Sequence, residues 1–368
     1  MKFSIQREAL LKPLQTIVGV VERRQTLPVL SNILMAVSSD RLSMTATDLE
    51  VEMIAGVPLD NAQPGDITIP ARKIVDICRA LPEGATINIT LDTEKERVGV
   101  QSGRSRFNLT TLPITDFPSV DEITSQFEFS LPQNVLKYLI EKTSFAMAQQ
   151  DVRYYLNGLL LEISSGMVRA VATDGHRLAM STHACDVKPS DTLQIIMPRK
   201  GVTELVKLLE DTDELVQIQV SANHIKVKLN DFVFTSKLID GRFPDYERVI
   251  PKNSDKHVVA DKETLRQALV RTSILSNEKY RGIRIRLSNA LLQAQANNPE
   301  MEEAEEDIEV DYSGEELEIG FNVSYLLDAL SAVSEDTVLL DLGDSNSSCV
   351  VQPKNDSTCT YVIMPMRL

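Results

Sequence analysis

Apolar and polar residues alternate through Leu42-Ser43-Met44-Thr45-Ala46-Thr47-Asp48 and again through Val168-Arg169-Ala170-Val171-Ala172-Thr173-Asp174. A more degraded version runs through Leu292-Gln293-Ala294-Gln295-Ala296-Asn297-Asn298. A period of two predicts a strand with one buried face. The Thr-Asp or Asn-Asn at the end of each run predicts a turn whose side chains bond their own backbone. Asp48, Asp174 and Asn298 are separated by 126 and 124 residues, which points to one unit used three times.

Two stretches of helical periodicity accompany each copy. The first carries Leu10, Leu11, Leu14 and Ile17, then Val135, Leu136, Leu139 and Ile140, then Leu265, Ala268 and Leu269. Pro13 interrupts the first of these, since an interior proline removes a hydrogen bond. The second set opens at Pro70-Ala71-Arg72-Lys73, Pro198-Arg199-Lys200-Gly201 and Asn322-Val323-Ser324-Tyr325, where proline in the first turn and asparagine at the cap are start signals. Short strands fill the rest, and Asp116-Phe117-Pro118 and Asp240-Gly241-Arg242-Phe243-Pro244 read as linkers. The pattern predicts an α+β fold of three repeated units, 1–125, 126–255 and 256–368, each with two helices on one face of antiparallel strands.

With 43% apolar and 25% charged residues, each unit of this 368-residue chain can bury a core. No apolar run is long enough to span a membrane, and the opening Met1-Lys2-Phe3-Ser4-Ile5 alternates as a strand, so a cytoplasmic protein without a signal peptide is expected. Cys78, Cys185, Cys349 and Cys359 lack metal or redox spacing. The net charge of −15 argues against nucleic acid until its distribution is considered. The predicted helices and their immediate flanks together carry more Lys and Arg than Asp and Glu, which leaves the acidic surplus on strands and loops.

The acidic run containing Glu300, Glu303 and Glu306 has a complement within the same chain, because Lys73, Arg104 and Arg106 cluster in the first unit. Phe107 and Leu109 there, and Ile274 and Leu275 in the third unit, offer apolar surface. A basic free edge and an acidic free edge invite closure with a second chain, a homodimer. Asp174-Gly175-His176-Arg177 tempts an enzymatic reading with His176 as base, but residues two apart in a tight turn seldom form such a pair. No nucleotide loop, zinc pattern or nucleophile accompanies it, so no cofactor and no metal are expected. The residues alone leave an acidic enzyme and a monomeric repeat scaffold as alternatives.

Several long motifs narrow this. Arg7-Glu8, Leu10-Leu11-Lys12-Pro13-Leu14-Gln15, Thr47-Asp48-Leu49-Glu50, Asp151-Val152-Arg153-Tyr154-Tyr155-Leu156-Asn157-Gly158, Ala172-Thr173-Asp174-Gly175-His176-Arg177-Leu178-Ala179, Asp240-Gly241-Arg242-Phe243-Pro244-Asp245-Tyr246 and Met364-Pro365-Met366-Arg367-Leu368 resemble the bacterial DNA polymerase III beta subunit, the sliding-clamp family. The resemblance covers essentially the whole chain. It implies three clamp domains per chain, two chains closing into a six-domain ring around double-stranded DNA, and a non-catalytic processivity factor. The implied partners are the DNA polymerase III catalytic subunit, the clamp-loader complex and other replication and repair polymerases and factors. It further implies a partner-peptide pocket at Leu156, Thr173, Gly175, His176, Arg177, Leu178, Pro244, Arg248, Val249, Val362, Met364, Pro365, Met366 and Arg367. DNA contacts are implied at Arg24, Gln150, Tyr154, Tyr155, Arg199 and Lys200.

Overall fold

A computed structural model describes residues 1–22, 27–92, 96–118 and 124–367. Its elements repeat in one order. The first round is β1 (Lys2–Gln6), α1 (Arg7–Ile17), β2 (Asn32–Val37), β3 (Arg41–Thr47), β4 (Val51–Pro58), β5 (Gly65–Pro70), α2 (Ala71–Ala80), β6 (Thr86–Asp92), β7 (Arg97–Ser102) and β8 (Ser105–Thr110). The second is β9 (Phe127–Pro132), α3 (Gln133–Glu141), β10 (Gly158–Ser164), β11 (Met167–Thr173), β12 (Arg177–Ala184), β13 (Leu193–Pro198), α4 (Arg199–Leu208), β14 (Leu215–Val220), β15 (His224–Leu229) and β16 (Phe232–Lys237). The third is β17 (Lys256–Asp261), α5 (Lys262–Thr272), β18 (Gly282–Ser288), β19 (Leu291–Asn297), β20 (Glu303–Glu309), β21 (Leu317–Asn322), α6 (Val323–Ala332), β22 (Thr337–Leu342), β23 (Cys349–Pro353) and β24 (Cys359–Ile363).

Local chemistry accounts for these elements. Ile225, Val227 and Leu229 of β15 are buried while Lys226 and Lys228 point away, as a half-covered strand requires. In α6, Val323, Leu326, Ala329 and Leu330 make one buried stripe, and the Asn322 side chain accepts from Ser324 N at 2.9 Å to cap it. Asp261 caps α5 through Thr264 N at 2.8 Å. Pro13 lies inside α1, whose Leu10, Leu14 and Ile17 are buried nonetheless. Each fully buried leucine of this kind contributes about 1.5–3 kcal/mol.

The strands do not stay within their own repeat. One eight-stranded sheet has the order β5-β2-β3-β4-β16-β15-β14-β9, and the other β13-β10-β11-β12-β24-β23-β22-β17. Half of the first repeat is thus joined to half of the second by β4 with β16, and the other half of the second to half of the third by β12 with β24. The outer halves form four-stranded sheets, β1-β6-β7-β8 and β20-β19-β18-β21, which leave β8 and β20 as edges among the described residues. The chain accordingly divides into two compact units, residues 1–136 with 200–238 and residues 137–199 with 239–368. In the first, α1 packs on α2 and over β3 and β4; in the second, α5 packs on α6 and over β19 and β20.

The stretch around Phe243 is more than a linker. Phe243 and Tyr246 are buried in a cluster with Leu160, Val171, Leu178, Ile196 and Val362. Phe117 is buried likewise against Val29 and Leu30. The four cysteines carry free thiols. Among the described residues no helix is long and apolar enough to cross a membrane.

Candidate functional site

The Thr-Asp turn is one device built twice, with an asparagine variant in the third repeat. After β11, the Asp174 carboxylate accepts from His176 N at 2.9 Å and Arg177 N at 3.0 Å, while Thr173 Oγ1 donates to Arg177 O at 2.6 Å. After β3, Asp48 accepts from Glu50 N and Val51 N at 2.9 and 2.7 Å, and Thr47 Oγ1 donates to Val51 O at 3.0 Å. In the third copy Asn298 Oδ1 accepts from Glu302 N at 2.9 Å. Leu49 and Gly175, at matching positions, both have positive φ, 79° and 87°, a conformation glycine adopts freely and leucine only under strain.

The carboxylate that could have oriented His176 is therefore engaged by backbone amides and by Arg177 Nε at 3.0 Å. The His176 ring instead stacks on Tyr325, 6.3 Å between centroids. Arg177, only 13% exposed, also reaches Asp328 and donates from Nη2 to Phe145 O at 2.9 Å, with its guanidinium 4.6 Å from the Tyr325 ring centre. One side chain thus ties the turn to α6 and to the segment after α3.

Beside this turn opens a cleft of about 230 Å³. Leu156, Thr173, Gly175, Arg177, Leu178, Pro244, Val249, Val362 and Met364 line it, together with Arg153, Asp245 and Tyr246. Leu178 and Val362, paired across β12 and β24, are buried beneath it. Gly175 lets the Arg153 guanidinium come close, because a Cβ there would lie 2.9 Å from Arg153 Nη2. Asp151 grips the same guanidinium at 3.1 and 2.9 Å, and this bonding draws its carboxyl down to about 2. Arg153, Asp245 and Tyr246 were not expected at the cleft from sequence, although all three lie within motifs that carry the resemblance.

Of the remaining residues expected there, His176 is directed to Tyr325, and exposed Arg248 pairs with Asp245 at 2.7 Å. Pro365, Met366 and Arg367 follow Met364 along a tail stitched at two points. Met364 N donates to His176 O at 2.9 Å, and Met366 N to Gly320 O at 2.8 Å. Leu368 lies outside the described residues.

The residues expected to meet DNA are placed as follows. Tyr154 is 58% exposed and meets Tyr155 edge-on at 5.8 Å, while Tyr155 packs on the buried cluster beneath the cleft. Gln150 is exposed at φ 56°. Arg199 donates to Met147 O at 3.0 Å, Lys200 contacts Glu22 and Asp48, and Arg24 lies outside the described residues. Of the edge residues, Arg104, Arg106, Lys73, Glu300 and Glu303 are exposed, Phe107 is half-buried and Leu109 is buried. Ile274 is 73% exposed beside half-buried Leu275, and Glu306 on β20 bonds Arg271 of its own chain. No cluster of metal-ligating side chains occurs among the described residues.

Family comparisons match three domains in succession: the DNA polymerase III beta subunit N-terminal domain over residues 1–121, its central domain over 130–245 and its C-terminal domain over 247–367. A beta sliding clamp of Pseudomonas aeruginosa is 57% identical over 369 residues and one of Escherichia coli 53% over 372, each alignment covering 100% of both chains. The crystal structure of a Pseudomonas aeruginosa DNA polymerase III subunit beta bound to griselimycin superposes with TM-score 0.97 at 56% identity, covering 100% of both chains.

Proposed function

This chain belongs to the DNA polymerase III beta subunit family, and on that premise we propose how its residues divide the work of a sliding clamp. The protein is a processivity factor: two chains form a ring that encircles duplex DNA and tethers the replicative polymerase and other DNA-acting proteins. It acts in the cytoplasm and without catalysis of its own. Its three domains are residues 1–125, 126–255 and 256–368.

The partner groove is the cleft beside Gly175, extended by His176, Arg248 and the tail Pro365, Met366 and Arg367. The observation that carries this reading is an apolar floor, Leu178 and Val362, under a rim of backbone and charged side chains. Such a groove takes a short apolar-aromatic peptide, and Met364 adapts it to several. Arg24, Gln150, Tyr154, Tyr155, Arg199 and Lys200 contact DNA.

Ring closure joins β8 to β20 of the partner subunit, and the internal sheets supply the register. Phe107 pairs with Val100 as Phe234 pairs with Val227 and Tyr361 with Val351, so the three are equivalent. Ala304 pairs with Ala296 as Met53 pairs with Ala46 and Ala179 with Ala172. Since Phe234 faces Met53 and Tyr361 faces Ala179, Phe107 faces Ala304 of the partner subunit. The same antiparallel register sets Arg106 against Glu305 of the partner subunit and Arg104 against Asp307 of the partner subunit, opposite charges across the seam. Lys73, Leu109, Ile274, Leu275, Glu300, Glu303 and Glu306 flank it.

Deleting residues 364–368 tests the groove. Calorimetry with a short apolar-aromatic peptide should lose its signal, while sedimentation still finds a dimer, because the tail bonds β21 at the far side of the sheet from β20. Unchanged affinity, or loss of the dimer as well, would remove the tail from the groove.

A further inference from the structure

Lys200, the second residue of α4, has its ammonium already occupied. Its Nζ lies 2.6 Å from Glu22 Oε1 and also meets Asp48 Oδ2. The two carboxylates differ in freedom. Asp48 is 4% exposed at its side chain, and its other oxygen is fixed by Glu50 N and Val51 N. Glu22 is half exposed and follows the end of the chain's first helical stretch. Lys200 itself is 25% exposed, so it is reachable from solvent but not free. The sister turn uses the same arrangement for another end: Asp174 also turns its second oxygen on a cation, but there the cation is Arg177 of the turn itself. In the first repeat the cation comes from a helix start that the clamp reading assigns to DNA.

We propose that Glu22, together with the turn carboxylate Asp48, masks Lys200 and holds down its contribution to DNA binding. The inference rests on the assignment of Lys200 to the DNA surface. Phosphate reaching this ammonium must displace a carboxylate partner, so the gain per contact is a difference between two ion pairs. A ring that is retained by its topology gains from such attenuation, since tight phosphate contacts would oppose sliding. Glu22 is the adjustable half of the mask, because Asp48 cannot leave without opening its turn.

The test is a cycle of full-length proteins: wild type, Glu22→Gln, Lys200→Gln and the double variant, titrated by anisotropy against a labelled linear duplex over a salt series. Glutamine at position 200 keeps a donor for buried Asp48, and thermal melts check that all four fold. For each subunit whose Lys200 reaches a phosphate, Glu22→Gln should tighten binding about two- to fivefold, the range of an exposed ion pair, and steepen the slope against log salt by up to about 0.9. Lys200→Gln should weaken binding in both backgrounds, but about two- to fivefold more when residue 22 is glutamine. Equal losses in the two backgrounds would mean that Glu22 acts only through net charge, and no change on Glu22→Gln would overturn the mask. Wild-type retention on closed DNA circles, measured alongside, separates the readings. If it is absent the clamp reading fails, and if it is present without coupling only this inference fails.

Discussion

Arg177 joins three segments through one guanidinium, and truncating it removes all of those links at once. Asp174 is 17% exposed at its side chain and loses its side-chain partner, while half-exposed Asp328 can turn to water. Breaking a buried pair costs about 3–5 kcal/mol, and the exposure of Asp328 brings the expectation for Arg177→Ala to about 2–3 kcal/mol. A lowered thermal midpoint and weakened peptide binding should appear together. If affinity falls with no change in melting, Arg177 touches the peptide instead of organising the turn. The turn itself is legible in sequence, because Thr173, Asp174 and Gly175 each act on their own backbone. The Arg153 position over Gly175 is not legible, since it depends on where a residue 22 positions away is folded. The same holds for the His176 stack on Tyr325, which brings together two different repeats.

At the level of elements, the helices and their starts follow from periodicity and from caps such as Asn322, all local signals. The pairing of β4 with β16 and of β12 with β24 does not, because strands with the same alternation are interchangeable partners until the chain's connections choose between them. That is why the pattern yields three repeats while the folded chain forms two compact units. The linker reading of Asp240-Gly241-Arg242-Phe243-Pro244 fails in part for a related reason: Phe243 has a cluster to enter only once β11, β12 and β24 are side by side. The β8 and β20 edges, unpaired among the described residues, give a test at this scale. Arg106→Glu should favour monomers by opposing Glu305 of the partner subunit, and Glu305→Arg in the same chain should restore the dimer. Ile274→Ala with Leu275→Ala should give monomers as well, at on the order of 2–5 kcal/mol for each side chain that is fully buried in the interface. Sedimentation at nanomolar concentration checks both. A charge swap that fails to restore the dimer would reject the register, and a dimeric alanine pair would remove those residues from the seam.

For the whole molecule, a net charge of −15 and a masked Lys200 make strong phosphate binding a poor basis for staying on DNA. Retention therefore has to come from closure of the ring. The division of charge between helices and strands is visible in the sequence, but its meaning depends on symmetry that one chain does not contain. The most direct measurement loads the protein on closed circular DNA and follows its retention before and after a single cut, at low salt. Retention on the circle and rapid release from the cut end is the result a ring requires. Equal retention on both forms would show ordinary phosphate or groove binding and would contradict the ring.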